Sequence, residues 1–308
     1  MNSWQGPTLV DPSPHRNAGS ESSAGPPAGS GPGIAVPVSA AVTAIATVAA
    51  LQVRNAHRRY GRATTQPGTI DLLVLPPGPT LAEGRPIELL ALGDSGMAGV
   101  GVTDPSDAVP AQIARQVAAH TGRPVNVISH AEAGARTHDV LIHQLDRVSA
   151  RPDVVVLLVG ANDVIHFTPL RRLSDALTNL LARLRVLGAP VVMSSLPEFG
   201  AMRAVPRIPR TVVAARAIAV RRIHRRAAVD FSGAVELVDV RALVGQQFIH
   251  DAALMGADRF HPSAAGYSRI ADALTPAVVN AVSAGSHPGL SHAGLIESRY
   301  RLPPGSAA

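Results

Sequence analysis

Residues 87–101 read IELLALGDSGMAGVG, and this stretch predicts the first strand of a sheet and the serine that follows it. Its first half is a nearly continuous apolar run, which is typical of a buried parallel strand. Gly93 lets the backbone turn sharply where the run ends, so we expect Ser95 at the carboxyl edge of a sheet. A serine at that edge can attack an acyl group only if a base takes its proton and hydrogen-bond donors bind the oxyanion.

The composition of the chain limits the classes of protein and of site. The chain has 308 residues, and we expect residues 1–33, rich in Gly, Pro and Ser, to be disordered because they have few apolar side chains to bury. We expect one domain over residues 87–284 and a C-terminal tail over residues 285–308. The absence of cysteine excludes disulfides, thiolate nucleophiles and Cys-ligated zinc. The net charge of +6 comes with arginine as the basic residue throughout, which fits a composition bias as well as a function.

A second apolar stretch, IAVPVSAAVTAIATVAALQV, occupies residues 34–53. It is uncharged and about long enough to cross a bilayer, so we predict a single-pass membrane anchor, with a short buried helix as the alternative. Pro37 and many Ala and Thr residues make its hydrophobicity marginal. An arginine cluster follows, and the positive-inside rule then predicts a cytoplasmic domain. We interpret residues 54–86 as a linker whose apolar IDLLVL forms one short strand or a docking segment.

From residue 87 onward, apolar runs alternate with amphipathic segments. This alternation predicts βαβ crossovers and a three-layer α/β/α fold with a five-stranded, mostly parallel sheet. The first predicted strand begins at residue 87. The other four cover residues 125–129, 154–159, 191–194 and 235–240. The predicted helices cover residues 109–120, 137–150, 169–187, 212–229 and 263–282.

Polar residues follow several of the predicted strands, where a sheet of this kind holds its chemistry. Gly134 lies before a predicted helix and can offer an unobstructed backbone N–H, although a turn glycine is the common alternative. Asn162 follows the next strand and carries a neutral amide donor suited to an oxyanion. Asp258 and His261 are three residues apart, so the carboxylate can bond to one imidazole nitrogen and leave the other for a serine, unless Asp258 is only a helix cap.

Taken together, these four segments resemble the sequence blocks of the SGNH, or GDSL-like, hydrolase family over roughly residues 87–282. The resemblance implies a flavodoxin-like sheet, with Ser95 as nucleophile, His261 as base and Asp258 as the residue that orients it. It also implies an oxyanion hole formed by the N–H groups of Ser95 and Gly134 and by the Asn162 side chain. The chain departs from the family where Gly96 follows the serine and where His130 and Ala131 begin the glycine block.

Other kinds of site fit the residues less well. The glycines after residue 92 do not have the spacing of a dinucleotide-binding loop, so we expect no cofactor. No two histidines have the i, i+4 spacing of a metal site on a helix, so we expect no metal ion. The arginines of residues 203–226 lack interleaved aromatic residues, so we predict a solvated helix face and no nucleic-acid binding. His166 and Phe167 lie just beyond Asn162, and we expect them to line the substrate cleft.

The sequence therefore predicts a serine esterase that acts on a small or medium acyl ester through an acyl-enzyme intermediate. Ester substrates are the expected partners, and the acyl group can come from a lipid, a glycan or another small molecule. An acyltransferase would use the same residues with a different acceptor. A glycan- or lipid-binding module on this fold is the non-catalytic alternative, although such a module would need none of the reacting residues.

Overall fold

A computed structural model describes residues 47–48, 51–52, 55, 69–78 and 84–285 of the chain. Within these residues a six-stranded sheet has the spatial order β1-β3-β2-β4-β5-β6. Five strands are parallel, and β1 runs antiparallel to β3 along one edge. The strands are β1 (Asp71–Val74), β2 (Ile87–Gly93), β3 (Val125–Ser129), β4 (Val154–Leu158), β5 (Val191–Ser194) and β6 (Val235–Val238).

The predicted three-layer α/β/α fold is confirmed, with one more strand than expected. The additional strand, β1, comes from the apolar IDLLVL of the segment interpreted as a linker, where Leu72 pairs with Val127. Without β1, the order of the other five strands corresponds to the flavodoxin-like order 2-1-3-4-5.

The helices cover both faces of the sheet. They are α1 (Val109–Thr121), α2 (Thr137–Asp139), α3 (Ala161–Ile165), α4 (Leu170–Leu187), α5 (Arg207–Asp230), α6 (Val240–His250) and α7 (Ala264–Gly285). On one face, side chains of α1, α6 and α7 pack on alternate strand residues such as Leu89 and Val156. On the other face, α4 and the end of α5 pack on Leu90, Val155 and their neighbours. This period-two alternation follows from the pleat of a strand buried on both faces.

Two local predictions were wrong in ways that matter for the site, and one helix was not predicted. The helix predicted over residues 137–150 is instead a single α turn, a wider π-helical turn over Val140–Gln144 and a 3-10 turn ending at Arg147. The strand predicted to reach residue 240 ends at Val238, and α6 follows it. Apolar residues occur on the exposed side of α6 as well as on its buried side, so its sequence lacks the amphipathic period that predicts a helix.

The chain crosses from β2 to β3 on one side and then returns to β4 on the other side of β2. Such a change of direction opens a crevice at the carboxyl ends of the two central strands, where ligands bind in folds of this type. The order of the strands therefore indicates a ligand-binding site at the carboxyl ends of β2 and β4.

The anchor predicted for residues 34–53 lies outside the described residues except at residues 47–48 and 51–52. None of the helices in the described part of the chain combines the length and apolar character needed to cross a bilayer. The predicted disordered segment, residues 1–33, and nearly all of the predicted tail, residues 286–308, also lie outside the described residues.

Candidate active site

Ser95 follows β2 on a turn that only glycine can begin. Gly93 has a φ of 144°, and a Cβ placed on it would lie 1.9 Å from the carbonyl oxygen of Leu158 at the end of β4. The next residue, Asp94, donates its N–H to the same Leu158 carbonyl at 3.1 Å. The Gly-Asp-Ser turn therefore crosses directly over the end of the neighbouring strand, and any side chain at position 93 would displace it.

The side chain of Gln144 holds the Gly93 peptide from the π-helical turn. Its Nε2 donates to the Gly93 carbonyl at 2.7 Å, and its Oε1 accepts from the Gly93 N–H at 2.8 Å. Gln144 is fully buried, so both hydrogen bonds are shielded from water. No motif in the sequence includes Gln144, although a glutamine near the apolar positions Val140 and Leu141 of a predicted amphipathic segment is a signal of a buried polar contact.

The carboxyl group of Asp94, next to Ser95, is also buried. Burial raises the pKa of Asp94 to about 6, although a hydrogen bond from the Gly96 N–H and the charge of His261 act in the opposite direction. The Asp163 carboxylate adds to the rise in this pKa. Asp94 is therefore an acid whose ionised form is costly, beside the candidate nucleophile.

His261 and Asp258 lie in a narrow loop that folds back on itself between α6 and α7. Met255 and Pro262 form an antiparallel bridge, and the Gly256 N–H donates to the His261 carbonyl at 2.8 Å. Arg259, between the two candidate residues, has a φ of 55°, a left-handed conformation that tightens the turn.

Within this loop, His261 Nδ1 lies 2.7 Å from Asp258 Oδ2, and both side chains are almost completely buried. The other carboxylate oxygen, Oδ1, accepts from the N–H groups of Phe260 and His261, each at 2.9 Å. Burial would raise the pKa of Asp258, but these hydrogen bonds, led by the one from His261, lower it to about 2. An ionised carboxylate on Nδ1 holds the imidazole in the tautomer whose Nε2 can accept a proton.

Two contacts hold the loop of Asp258 and His261 against the segment that follows β2 and contains Ser95. Gly101 has a φ of 109°, and a Cβ there would lie 2.7 Å from the Pro262 carbonyl oxygen and 3.4 Å from the His261 Cβ. The buried hydroxyl of Tyr267, on α7, donates to the Val100 carbonyl. Burial raises the pKa of Tyr267 far above its usual range, so this hydroxyl remains a donor. At Gly101, the last residue of the stretch 87–101, the two segments therefore approach too closely for a side chain.

Asn162 lies in α3, immediately after β4, and is buried. Its Nδ2 donates to the carbonyl of Ala135 at 3.1 Å, which leaves the amide one further N–H. The neighbouring Asp163 accepts from both the N–H and the hydroxyl of Thr137, at 2.9 and 2.8 Å. These bonds tie α3 to the loop that contains Gly134, whose φ of 85° requires the left-handed conformation.

Ser95, Asn162 and His261 line one cavity of about 110 Å³, and its other walls are mostly apolar side chains. Gly134, His166 and Phe167 are not among the lining residues, although Ile165 is. The His166 side chain is exposed, and its Nδ1 lies 2.9 Å from the Asn162 carbonyl oxygen. The structure thus brings together the first three residues and leaves the predicted cleft residues outside the cavity.

Phe167 and His224 are two further residues beside this site with unusual environments. Phe167 has a φ of 53°, and the Arg216 guanidinium lies 5.0 Å from its ring centroid. His224 is completely buried on α5 beside Gly160, and neither ring nitrogen has a hydrogen-bond partner in the described residues. Burial, with the charge of Arg221, lowers the pKa of His224 to about 4, so this histidine is neutral at pH 7.

The described residues contain no group of three or more His, Asp and Glu side chains that could hold a metal ion. At the end of the cavity beside β2, the polar groups include the Ser95 hydroxyl, the His261 imidazole and the Asn162 amide. Such a set can transfer a proton and bind an oxyanion without a metal.

Comparisons with known proteins agree on one family. A sequence model of the GDSL-like Lipase/Acylhydrolase family matches residues 91–269. The GDSL-like esterase Rv1075c of Mycobacterium tuberculosis is 31% identical over 200 residues, which are 64% of this chain. This chain spans only 63% of the length of that relative.

Two solved structures share the fold. The crystal structure of TesA matches with a TM-score of 0.50 at 24% identity, over 62% of this chain and 97% of TesA. A protein from Desulfitobacterium hafniense DCB-2, described as a lipolytic protein of the G-D-S-L family, matches with a TM-score of 0.51 at 15% identity. That match covers 61% of this chain and 98% of the other.

Proposed function

Because this chain belongs to the GDSL-like lipase/acylhydrolase family, we propose that it hydrolyses carboxylic esters with Ser95 as the nucleophile. The observation that carries the proposal is the buried hydrogen bond between His261 Nδ1 and Asp258 Oδ2, in a cavity that Ser95 also lines. An imidazole oriented in this way is the base that a serine hydroxyl needs before it can attack an ester.

In the proposed reaction, His261 Nε2 takes the Ser95 hydroxyl proton while Oγ bonds to the ester carbonyl carbon. The tetrahedral oxyanion accepts hydrogen bonds from the Ser95 N–H and the free N–H of the Asn162 amide, two residues that line the cavity. The Gly134 N–H is the third donor, on the loop that Asn162 holds through the Ala135 carbonyl. When the intermediate collapses, His261 returns its proton to the departing alcohol, and the acyl group stays on Ser95. Water then attacks the acyl-enzyme with His261 again as base, which releases the acid and restores the hydroxyl.

The cavity supports a short acyl group as the substrate. An apolar cavity of about 150 Å³ in another protein holds benzene, so 110 Å³ has room for about four carbon atoms. The apolar walls favour an alkyl chain over a polar one, since a buried polar group without a partner costs free energy. The name of the mycobacterial relative, an esterase, agrees with this class of substrate.

The proposal is tested with p-nitrophenyl acetate and butyrate as substrates. We expect wild-type protein to hydrolyse both esters and Ser95→Ala to lose nearly all of this activity while keeping its circular dichroism spectrum and melting temperature. Ser232, an exposed serine in the turn after α5, provides the matched control, and Ser232→Ala should retain full activity. Turnover by Ser95→Ala at the wild-type rate would exclude Ser95 as the nucleophile.

A further inference from the structure

The cavity extends away from Ser95 along the carboxyl edge of the sheet. Its lining includes Ser95 after β2, Ser194 at the end of β5 and Val240 at the start of α6. The strands β2, β4, β5 and β6 are successive neighbours, so three spacings of about 4.8 Å separate the first from the last. The cavity therefore has a catalytic end beside β2 and an opposite end beside β6.

An ion pair lies at the opposite end. Glu198, in the loop after β5, and Arg241, in the first turn of α6, both line the cavity, and Arg241 Nε lies 2.7 Å from Glu198 Oε2. The Glu198 side chain is 12% exposed and that of Arg241 is 43% exposed. One partner is thus turned to the interior and the other to solvent, as expected where a cavity meets the surface.

The backbone holds this pair in place. The second carboxylate oxygen of Glu198 accepts from the Gly200 N–H at 2.9 Å. A Cβ on Gly245, one turn along α6, would lie 3.2 Å from the Glu198 Cβ and 3.3 Å from the Arg241 Cγ. The loop after β5 and helix α6 are therefore in tight contact at the ion pair.

We propose that the Glu198–Arg241 ion pair closes the end of the cavity opposite Ser95 and thereby limits the length of the substrate's acyl chain. This inference rests on the proposed ester hydrolysis. An alkyl chain long enough to reach the pair must separate two charges or leave them against hydrocarbon, and both outcomes cost free energy. Short chains stop before the pair and bind against the apolar walls.

The test is a series of p-nitrophenyl esters from acetate to decanoate, with kcat/KM measured for wild type, Arg241→Gln and Glu198→Gln. Each methylene that gains a buried position contributes about 0.8 kcal/mol, or about a fourfold rise in kcat/KM. Opening the end to two more methylenes should raise the octanoate-to-butyrate ratio of kcat/KM by roughly fifteenfold. Acetate hydrolysis in each variant reports whether its catalytic groups remain intact.

Two controls separate the ion pair from a general effect of lost charge. Arg241→Lys keeps a cation opposite Glu198, so the chain-length profile should stay that of wild type. Arg183 and Asp146 form a comparable pair at 3.0 Å, both exposed and away from the cavity lining, so Arg183→Gln should also leave the profile unchanged. Arg221 also acts electrostatically on Glu198, so the double variant Arg241→Gln/Glu198→Gln checks that this second cation does not hold the end closed.

Val244 tests the cavity independently of the pair. It is buried in α6 and lines the cavity, so Val244→Phe should fill the space and lower butyrate hydrolysis at least tenfold relative to acetate. Unchanged chain-length ratios in an active Arg241→Gln/Glu198→Gln double variant, which removes both charges, would overturn the inference. Wild-type protein that hydrolyses no ester in the series would instead overturn the proposed function.

Discussion

Replacement of Asp94 by Asn should stabilise the protein at alkaline pH, because the wild-type carboxylate is buried. Burial raises the pKa of this group from 3.8 to about 6, so the folded state holds its proton more tightly than the unfolded chain does. The contribution of this group to stability is therefore greatest below pH 3.8 and is lost as the pH rises through 6. The difference between the two pKa values corresponds to about 3 kcal/mol at pH 8.

The Asn side chain keeps an oxygen that can accept from the Gly96 N–H, so the variant mainly removes the cost of the charge. Urea unfolding should show Asp94→Asn more stable than wild type at pH 8 by about 2 kcal/mol beyond their difference at pH 4. About half of this advantage should remain at pH 5. Asp175, exposed on α4, provides the control Asp175→Asn for loss of one surface carboxylate.

The same substitution should lower kcat. The charges of Asp94 and His261 attract each other, so an ionised Asp94 favours the imidazolium that forms when His261 takes the serine proton. A gain in stability with a loss of activity is expected where an active site holds a costly charge. A stability difference between Asp94→Asn and wild type that stays constant from pH 4 to pH 8 would refute the reasoning.

Three further predictions concern other residues of the site. Asn162→Ala should lower kcat by roughly 10²- to 10³-fold with little change in KM, because the Asn162 amide binds charge that is present mainly in the transition state. A variant in which only KM changes would assign Asn162 to substrate binding. Asp258→Asn should lower kcat by up to about 10⁴-fold, and it should also lower stability because the buried carboxylate accepts two backbone N–H groups. An unchanged kcat in a destabilised variant would leave Asp258 with a structural role alone. His224 is buried and its pKa lies near 4, below the 6.5 of the unfolded chain, so this residue should contribute a loss of about 2 kcal/mol as the pH falls from 8 to 5, opposite in sign to the change from Asp94. His224→Leu should lack this loss, and an identical pH dependence in urea unfolding would contradict the prediction.

The fold followed from the sequence because apolar strands and amphipathic helices alternate with clear periods. The exceptions are segments in which tertiary contacts outweigh those periods. The edge strand β1 lies between Pro- and Gly-rich segments, and only pairing with β3 makes it part of the sheet. Helix α6 buries one face, which includes Val244 and Phe248, but Leu243 on its other side is 59% exposed, so the sequence shows no amphipathic period.

The candidate catalytic residues could be found from the sequence because each follows a predicted strand or begins a predicted helix. The contacts that hold them could not be found in this way. Gln144 reaches Gly93 across 51 positions, and Tyr267 reaches Val100 across 167, so only the folded chain brings the partners together. Glu198 and Arg241 were likewise invisible, since neither stands in a motif and their pairing depends on the unpredicted α6.

The central claim, that Ser95 is the nucleophile of an ester hydrolase, is tested most directly by locating a covalent adduct. A fluorophosphonate reacts with a serine that is activated by a neighbouring base, and peptide mass spectrometry then identifies the modified residue. We predict a single adduct on Ser95, formed by the native protein, absent after heat denaturation and formed far more slowly in Asp258→Asn. An adduct on another serine of an active enzyme, or rapid hydrolysis of esters by protein whose Ser95 peptide stays unmodified, would contradict the account.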